Sequence, residues 1–325
     1  MTAAAEIVLL GDIGATNARF ALLANGAVGP ITWIEVARYP RLVDAVGDVL
    51  QAQFRETRVT DALLAVAGSV EGERCVLTNC SWVIDGGEMR RQFGFGTIRI
   101  INDFEATALS LPHLREQDLR SLGDGRATSG TPMAVLGPGS GLGVAGLVAD
   151  GPRWIVVVSE GGHATLSANS HREDAVLDQL RQRFGHVSAE RALSGPGLEN
   201  LYRAIAALDG IDAPLRNAAE ITDAALKGTC PTSRASLDMF CAMLGGFAGN
   251  VALTYGARGG VYIAGGIAPR ILDYLAGSEF RRRFEQKGRF RAYLEAIPSQ
   301  VIVNSAATFL GLRSLAASSL LSHPK

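Results

Sequence analysis

Near the start of the chain, apolar residues come in short blocks parted by glycine-rich turns, not at helical spacing. Ile7–Gly11, Arg19–Leu23 and Ile31–Ala37 are expected as three consecutive strands. Leu42, Val46, Val49, Leu50 and Phe54 then fall on one helical face. Strands are expected again at Ala62–Ala67 and Cys75–Leu77, followed by a short helix capped by Asp85. Thr97 to Ile101 reads as a buried strand that stops at Asn102-Asp103, where a helix begins with Phe104. The polar stretch from Arg115 to Thr131 is expected as a boundary or surface loop.

Beyond that stretch the pattern restarts. Ala134–Leu136, Leu142–Val148 and Trp154–Val158 read as strands, and three helical segments follow. The first is marked by Val176, Leu177, Leu180 and Phe184, the second by Leu198, Leu201, Tyr202, Ile205 and Leu208. Leu237, Phe240, Leu244, Phe247 and Val251 mark the long third. Gly245, Gly246 and Gly249 weaken that last helix in isolation, and they make sense where another backbone packs closely. Val261 to Ala264 is expected as a final buried strand. Phe309, Leu312, Ala316 and Leu320 share one face of a C-terminal helix. Three strands, a crossover helix and more strands, given twice, describe a duplicated α/β core with an interdomain cleft for ligands.

The bulk numbers fit that reading. A chain of 325 residues, 47% hydrophobic and with 38 glycines, has room for two domains and a substantial core. The formal net charge of −1 argues against a broad nucleic-acid surface. Arg281-Arg282-Arg283, the one basic cluster, reads as a solvated helix face. Cys75, Cys80, Cys230 and Cys241 form no Cys-x-x-Cys pair, so neither a disulfide framework nor a zinc knuckle is suggested. The first basic residue is Arg19, so no basic segment precedes Ile7–Leu10, and no run approaches a membrane span; a soluble cytoplasmic protein is expected.

Two glycine turns carry the chemistry. The first is Gly11-Asp12-Ile13-Gly14-Ala15-Thr16-Asn17, and the second runs from Gly137 through Gly139-Ser140-Gly141 to Gly143. Glycine lets backbone N–H groups approach an anion closely, so two such loops suit one polyphosphate. Asp12, Thr16 and Ser140 are placed to reach metal or phosphate oxygens. Asp12 is expected to orient Mg²⁺, directly or through water. Asp103 follows a buried strand, where α/β sheets place active residues, although a helix cap is the plain alternative. Asn102 offers both a donor and an acceptor to a ligand. Glu160 and His163 flank Gly161-Gly162, which lets both side chains aim at one point.

Six motifs occur in order: Gly11 to Arg19, Ile101-Asn102-Asp103-Phe104, Gly137 to Gly143, Glu160-Gly161-Gly162-His163, Glu190 to Leu198, and Ala264-Gly265-Gly266-Ile267. Together they resemble the bacterial glucokinases of the non-repressor type, over nearly the whole chain. The resemblance implies a two-domain, actin-like (ribonuclease-H-like) ATPase fold, with a small domain of residues 1–113 plus 304–325 and a large one of 114–303. It implies phosphoryl transfer from ATP·Mg²⁺ to the 6-hydroxyl of glucose, with Asp103 as general base. Asn102, Asp103, Glu160, His163 and Glu190 are then sugar ligands, joined by Gly68 and Asn79 from matching loops. Glu190 would read as a surface charge by spacing alone. Gly265-Gly266 matches the adenosine segment, and a homodimer is implied. The family usually has two glycines where this chain has Gly14-Ala15. The rivals are a kinase for mannose or an amino sugar, another phosphoryl donor, and a sugar-responsive repressor. The last lacks room for a helix-turn-helix before Ile7.

Overall fold

The computed structural model describes residues 7–54, 58–77 and 80–320. In chain order the elements are β1 (Ile7–Ile13), β2 (Asn17–Ala24), β3 (Ala27–Val28), β4 (Thr32–Glu35), α1 (Leu42–Gln53), β5 (Asp61–Val66), β6 (Val70–Glu71), β7 (Arg74–Val76), β8 (Val83–Asp85), α2 (Gly86–Phe93), β9 (Thr97–Asn102) and α3 (Asp103–Ser110). Then come β10 (Leu119–Ser121), β11 (Met133–Pro138), β12 (Leu142–Asp150), β13 (Arg153–Ser159), α4 (His171–Phe184), α5 (Gly195–Leu208), α6 (Ala218–Leu226), α7 (Pro231–Tyr255), β14 (Val261–Ile263), α8 (Leu272–Ala276), α9 (Phe280–Glu285), α10 (Arg291–Glu295), β15 (Ser299–Ile302) and α11 (Ala307–Leu320). Contacts divide the chain into two units, Met1–Leu114 with Ser305–Lys325, and Arg115–Asn304.

The first unit is built on a sheet of order β3-β2-β1-β5-β9, with β4 also on β2. β1 and β2 form an antiparallel hairpin, and β5 and β9 add in parallel. β1 is buried on both faces, so its sequence reads as a nearly continuous apolar run, broken by Asp12 near its end. Leu9 and Ile13 point into a cluster with Leu42, Val46 and Val49 of α1, and Val8 and Leu10 face Phe309 and Leu312 of α11. Helices α3 and α11 approach so closely that a side chain at Gly311 would strike the Ala106 carbonyl. Asp85 caps α2 by accepting from the Glu88 N–H at 2.9 Å, as its position after a strand predicts.

The second unit repeats the plan. Its sheet runs β13-β12-β11-β14-β15-β10, so a β11–β12–β13 antiparallel set is followed by parallel β14 and β15. Strand α-helix patterning therefore does report a duplicated core. The long α7 passes through the middle of this unit. It is the one described helix long and apolar enough to cross a membrane, and 72% of its most apolar window is buried inside the protein. Its glycines are explained by α9: a side chain at Gly245 would collide with the Phe280 carbonyl, and one at Gly249 would lie 2.5 Å from Phe284 O.

Several sequence expectations need correction. Val261–Ile263 is not the last buried strand, because β15 pairs beside it and carries β10 on its other edge. β10 lies inside the stretch expected as loop. Ile31–Ala37 is a strand only over Thr32–Glu35, and a 3₁₀ turn follows at Val36–Arg38. Besides the three expected helices and the helical stretch around the arginine triplet (α9), the second unit contains α6, α8 and α10. The arginine triplet is not a solvated face either. Arg283 is buried against Glu173, and Arg281 bonds Glu285 together with the carbonyls of Leu294, Glu295 and Ile297. Only Arg282 keeps to the surface.

Candidate active site

In the first unit, parallel register sets three strand ends level: Ile13 pairs with Val66, and Val66 with Asn102. The segments that follow, Gly14–Thr16, Ala67-Gly68 and Asp103, therefore leave from one edge of the sheet, where α/β proteins bind ligands. They are tied together. Ala67 N–H donates to Ile13 O at 2.9 Å, and Asn102 Nδ2 donates to Gly68 O at 3.1 Å.

Asn102, not Asp103, is the cap of α3: its Oδ1 accepts from the Phe104 N–H at 2.8 Å. Asp103 is the first helical residue, and its Oδ1 shares the same N–H at 2.9 Å. The cap reading of Asp103 thus moves one residue back. Burial, and after it the charge of Asp103, pushes the nearby Cys75 thiol above its usual range. Asn102 spends part of its bonding capacity on Phe104 and Gly68, leaving one amide hydrogen and one carbonyl lone pair.

The first glycine turn is shorter than its sequence suggests. Gly11, Asp12 and Ile13 belong to β1, paired on both edges, and Asn17 opens β2. Gly11 is required by packing, since a side chain there would meet Leu64 Cδ2 at 2.5 Å. Only Gly14, Ala15 and Thr16 turn. Ala15 has no left-handed φ, so an alanine fits the backbone here. The hairpin places Arg19 directly opposite Asp12. Arg19 Nε donates to Asp12 Oδ2 at 2.9 Å, a second guanidinium nitrogen reaches the same oxygen, and a third reaches the Ser305 carbonyl. The guanidinium lies over the rings of Trp33 and Phe309, at 4.9 and 5.6 Å from their centroids. Arg19 was not among the residues singled out from the sequence. Folding the hairpin about its turn and reading the cross-strand partner of Asp12 would have found it.

In the second unit, the turn Gly139–Gly141 leaves β11 and closes with Gly139 N–H on Gly141 O at 2.8 Å. Strand β14 ends beside it, with Leu136 paired to Ile263, and Gly265 follows at φ +80° against the Pro138 carbonyl. That conformation and that close approach both demand glycine. Gly139 and Gly266 differ, because a side chain at either would meet no protein atom within 4 Å. Nothing in the protein explains their glycines.

Glu160 and His163 bracket a single 3₁₀ turn, Gly161–His163. Their side chains are 73% and 60% exposed and meet at 4.0 Å, His163 Nε2 to Glu160 Oε2. Glycine at 162 is fixed by the Leu142 carbonyl, which a side chain would strike. Glu190 is not a loose surface charge: its Oε2 accepts from the Leu142 N–H at 2.9 Å, at the exit of the Gly139–Gly141 turn. Of the expected residues, Asp12, Gly14, Ala15, Thr16, Gly68, Asn102 and Asp103 gather at one edge of the first sheet. Gly139, Ser140, Gly141, Glu190, Gly265 and Gly266 gather around the end of β11. Asn79 lies outside the described residues.

Among the described residues no group of three or more His, Cys, Asp or Glu side chains is disposed to hold a metal. Both Arg19 bonds fall on Asp12 Oδ2, and Asp12 Oδ1 has no partner among the described residues. One available carboxylate oxygen, without a cage, suits Mg²⁺ that arrives on phosphates and keeps most of its waters.

The family model described as Glucokinase matches residues 9–319. A glucokinase of Nitrobacter hamburgensis is 44% identical over 307 residues, 94% of this chain and 96% of that one. The crystal structure of a glucokinase from an Antarctic psychrotroph superposes with a TM-score of 0.86 at 36% identity, covering 96% of this chain and 99% of the other. A ROK family glucokinase from Streptomyces griseus, solved with glucose and AMPPNP, shares the fold at a TM-score of 0.63 and 18% identity, over 97% of this chain and 100% of the other.

Proposed function

The chain belongs to the glucokinase family and is an ATP-dependent glucose kinase, and we propose that Asp103 is the general base that activates the 6-hydroxyl. The proton of that hydroxyl passes to the Asp103 carboxylate as its oxygen bonds to the γ-phosphorus. The bond from that phosphorus to the bridging oxygen breaks, and ADP leaves with the electron pair. What carries this reading is the level ending of β1, β5 and β9, which presents Asp12, Gly68, Asn102 and Asp103 at one edge.

The remaining roles follow from chemistry. The amide hydrogen and lone pair left on Asn102 suit a neighbouring sugar hydroxyl. Glu160, His163 and Glu190 add directional acceptors, and charge-assisted bonds to hydroxyls are strong. Phosphate oxygens are assigned to Gly14–Thr16 and Gly139–Gly141, and adenosine to Gly265-Gly266. Asp12, oriented by Arg19, is assigned to Mg²⁺, which neutralises charge on the β- and γ-phosphates when bound. A cytoplasmic homodimer, with neither membrane nor nucleic acid as partner, is the form in which we expect the enzyme to act.

Two measurements check this assignment. In a coupled assay, glucose with ATP·Mg²⁺ is expected to turn over fastest, with fructose and galactose poor, because a site built from hydrogen-bond acceptors rejects a misplaced hydroxyl. Faster turnover of mannose or an amino sugar, or with polyphosphate as donor, would reassign substrate or donor. Phosphorylation of a non-sugar with none of any hexose would end the reading. Gly266→Ala tests the adenosine assignment. With nothing within 4 Å of the new methyl, stability is expected to change by no more than about 0.5 kcal/mol, while nucleotide affinity falls. Unchanged affinity by calorimetry would make Gly266 an ordinary turn residue.

A further inference from the structure

We propose that Glu190, besides binding sugar, is a positioning residue for the nucleotide: its carboxylate holds the Gly139–Gly141 phosphate turn in shape. The inference rests on the assignment of that turn to phosphate.

Both ends of the turn are fastened to one short segment. Leu142, the first residue after it, donates its N–H to Glu190 Oε2 at 2.9 Å. Gly139, at the other end, accepts from the Gly195 N–H at 2.8 Å. The segment between Glu190 and Gly195 is itself rigid. Glu190 sits in the 3₁₀ turn Ala189–Arg191, its carbonyl accepts from Ser194 Oγ at 2.8 Å, and Ser194 Oγ caps α5 through the Gly197 N–H at 3.0 Å. The carboxylate also dictates the sequence of the turn, since a side chain at Gly141 would lie 2.5 Å from Glu190 Oε2. Glu190 Oε1 has no partner among the described residues, so one oxygen braces the loop and the other remains for a sugar hydroxyl.

A bond to an ionised acceptor is worth more than a neutral one, and its loss leaves the Leu142 N–H and the turn to find a new arrangement. The two halves of the carboxylate therefore tie sugar binding to the shape of the phosphate turn, and each side should feel a change made on the other.

Calorimetry with one ligand at a time separates these effects. With AMPPNP·Mg²⁺ and no sugar present, Glu190→Ala is expected to weaken nucleotide binding by about tenfold, the loss of one charge-assisted bond. Glu190→Gln can still accept from the Leu142 N–H, so its nucleotide affinity should stay near wild type although its glucose affinity falls. A general loss of folding would lower both affinities together and would not produce that split. The reciprocal variant is Gly141→Ala, whose methyl displaces the flexible end of Glu190 and whose backbone φ is not left-handed. It is expected to weaken glucose binding in nucleotide-free protein by about tenfold, whereas Gly139→Ala, with open space around it, should not. If Glu190→Ala melts, Gly141→Ala carries the test alone. Wild-type nucleotide affinity in Glu190→Ala, or wild-type glucose affinity in Gly141→Ala, overturns the brace. Absence of nucleotide binding by the wild-type protein overturns the phosphate assignment instead.

Discussion

Asp103→Asn is expected to lower kcat by about 10²- to 10⁴-fold, the usual cost of losing a general base, while glucose affinity changes little. The amide preserves size and can still accept a hydrogen bond, but it cannot take the proton of the attacking hydroxyl. Local structure makes the test clean. The cap of α3 is Asn102, whose Oδ1 holds the Phe104 N–H at 2.8 Å, so changing Asp103 leaves the helix start in place. The register that sets Asn102 level with Val66 and Ile13 is likewise backbone pairing, untouched by the substitution. Steady-state kinetics with a calorimetric Kd for glucose gives both halves of the expectation. A fall in kcat and kcat/KM together, with Kd held, is the signature of a group that acts in the transition state. Retention of more than about a tenth of wild-type kcat, far less than a lost base costs, would remove Asp103 from that role.

What the sequence disclosed and what it hid follow from the range of the interactions involved. Both glycine hairpins, the Asp85 cap and the close contact at Gly245 and Gly249 were legible, because strand alternation, capping and glycine placement are local signals. Elements of three to five residues such as β10, α8 and α10 are too short to show a period, and their form depends on neighbours distant in sequence. Side-chain partners were hidden most. Glu190 looked solvated because its partner, the Leu142 N–H, is far along the chain. Gly11 looked like part of the anion loop, yet Leu64 on the adjacent strand explains it. Arg281 and Arg283 looked like a charged surface because charges are seldom buried unless paired: the carboxylate that pairs Arg283, Glu173, is remote in sequence, and Arg281 reaches distant carbonyls as well as its near neighbour Glu285.

Glu173→Ala is expected to destabilise the second unit by about 3–5 kcal/mol, the usual cost of removing one partner from a buried ion pair. Glu173 and Arg283 are joined by two bonds of 2.6 and 2.9 Å, with side chains only 4% and 8% exposed. Glu173 Oε2 also accepts from the Asn169 N–H at 2.7 Å, while Arg283 Nε is buried with no partner among the described residues. Loss of the carboxylate would strand a guanidinium between α4 and α9, where water cannot replace the missing charge. At about 2–4 °C per kcal/mol for a body of this size, the melting temperature should fall on the order of 10 °C. The exposed pair Arg172–Asp209 offers a control on the same helix: Arg172→Ala should cost at most about 1 kcal/mol. Because the destabilisation comes from the unpaired charge and not from lost attraction alone, Glu173→Leu combined with Arg283→Met should recover much of it. Denaturant unfolding of the single and double variants decides the matter. Equal destabilisation by Arg172→Ala and Glu173→Ala would mean that water reaches the Glu173 site, and that burial of the pair is not what holds α9 against α4.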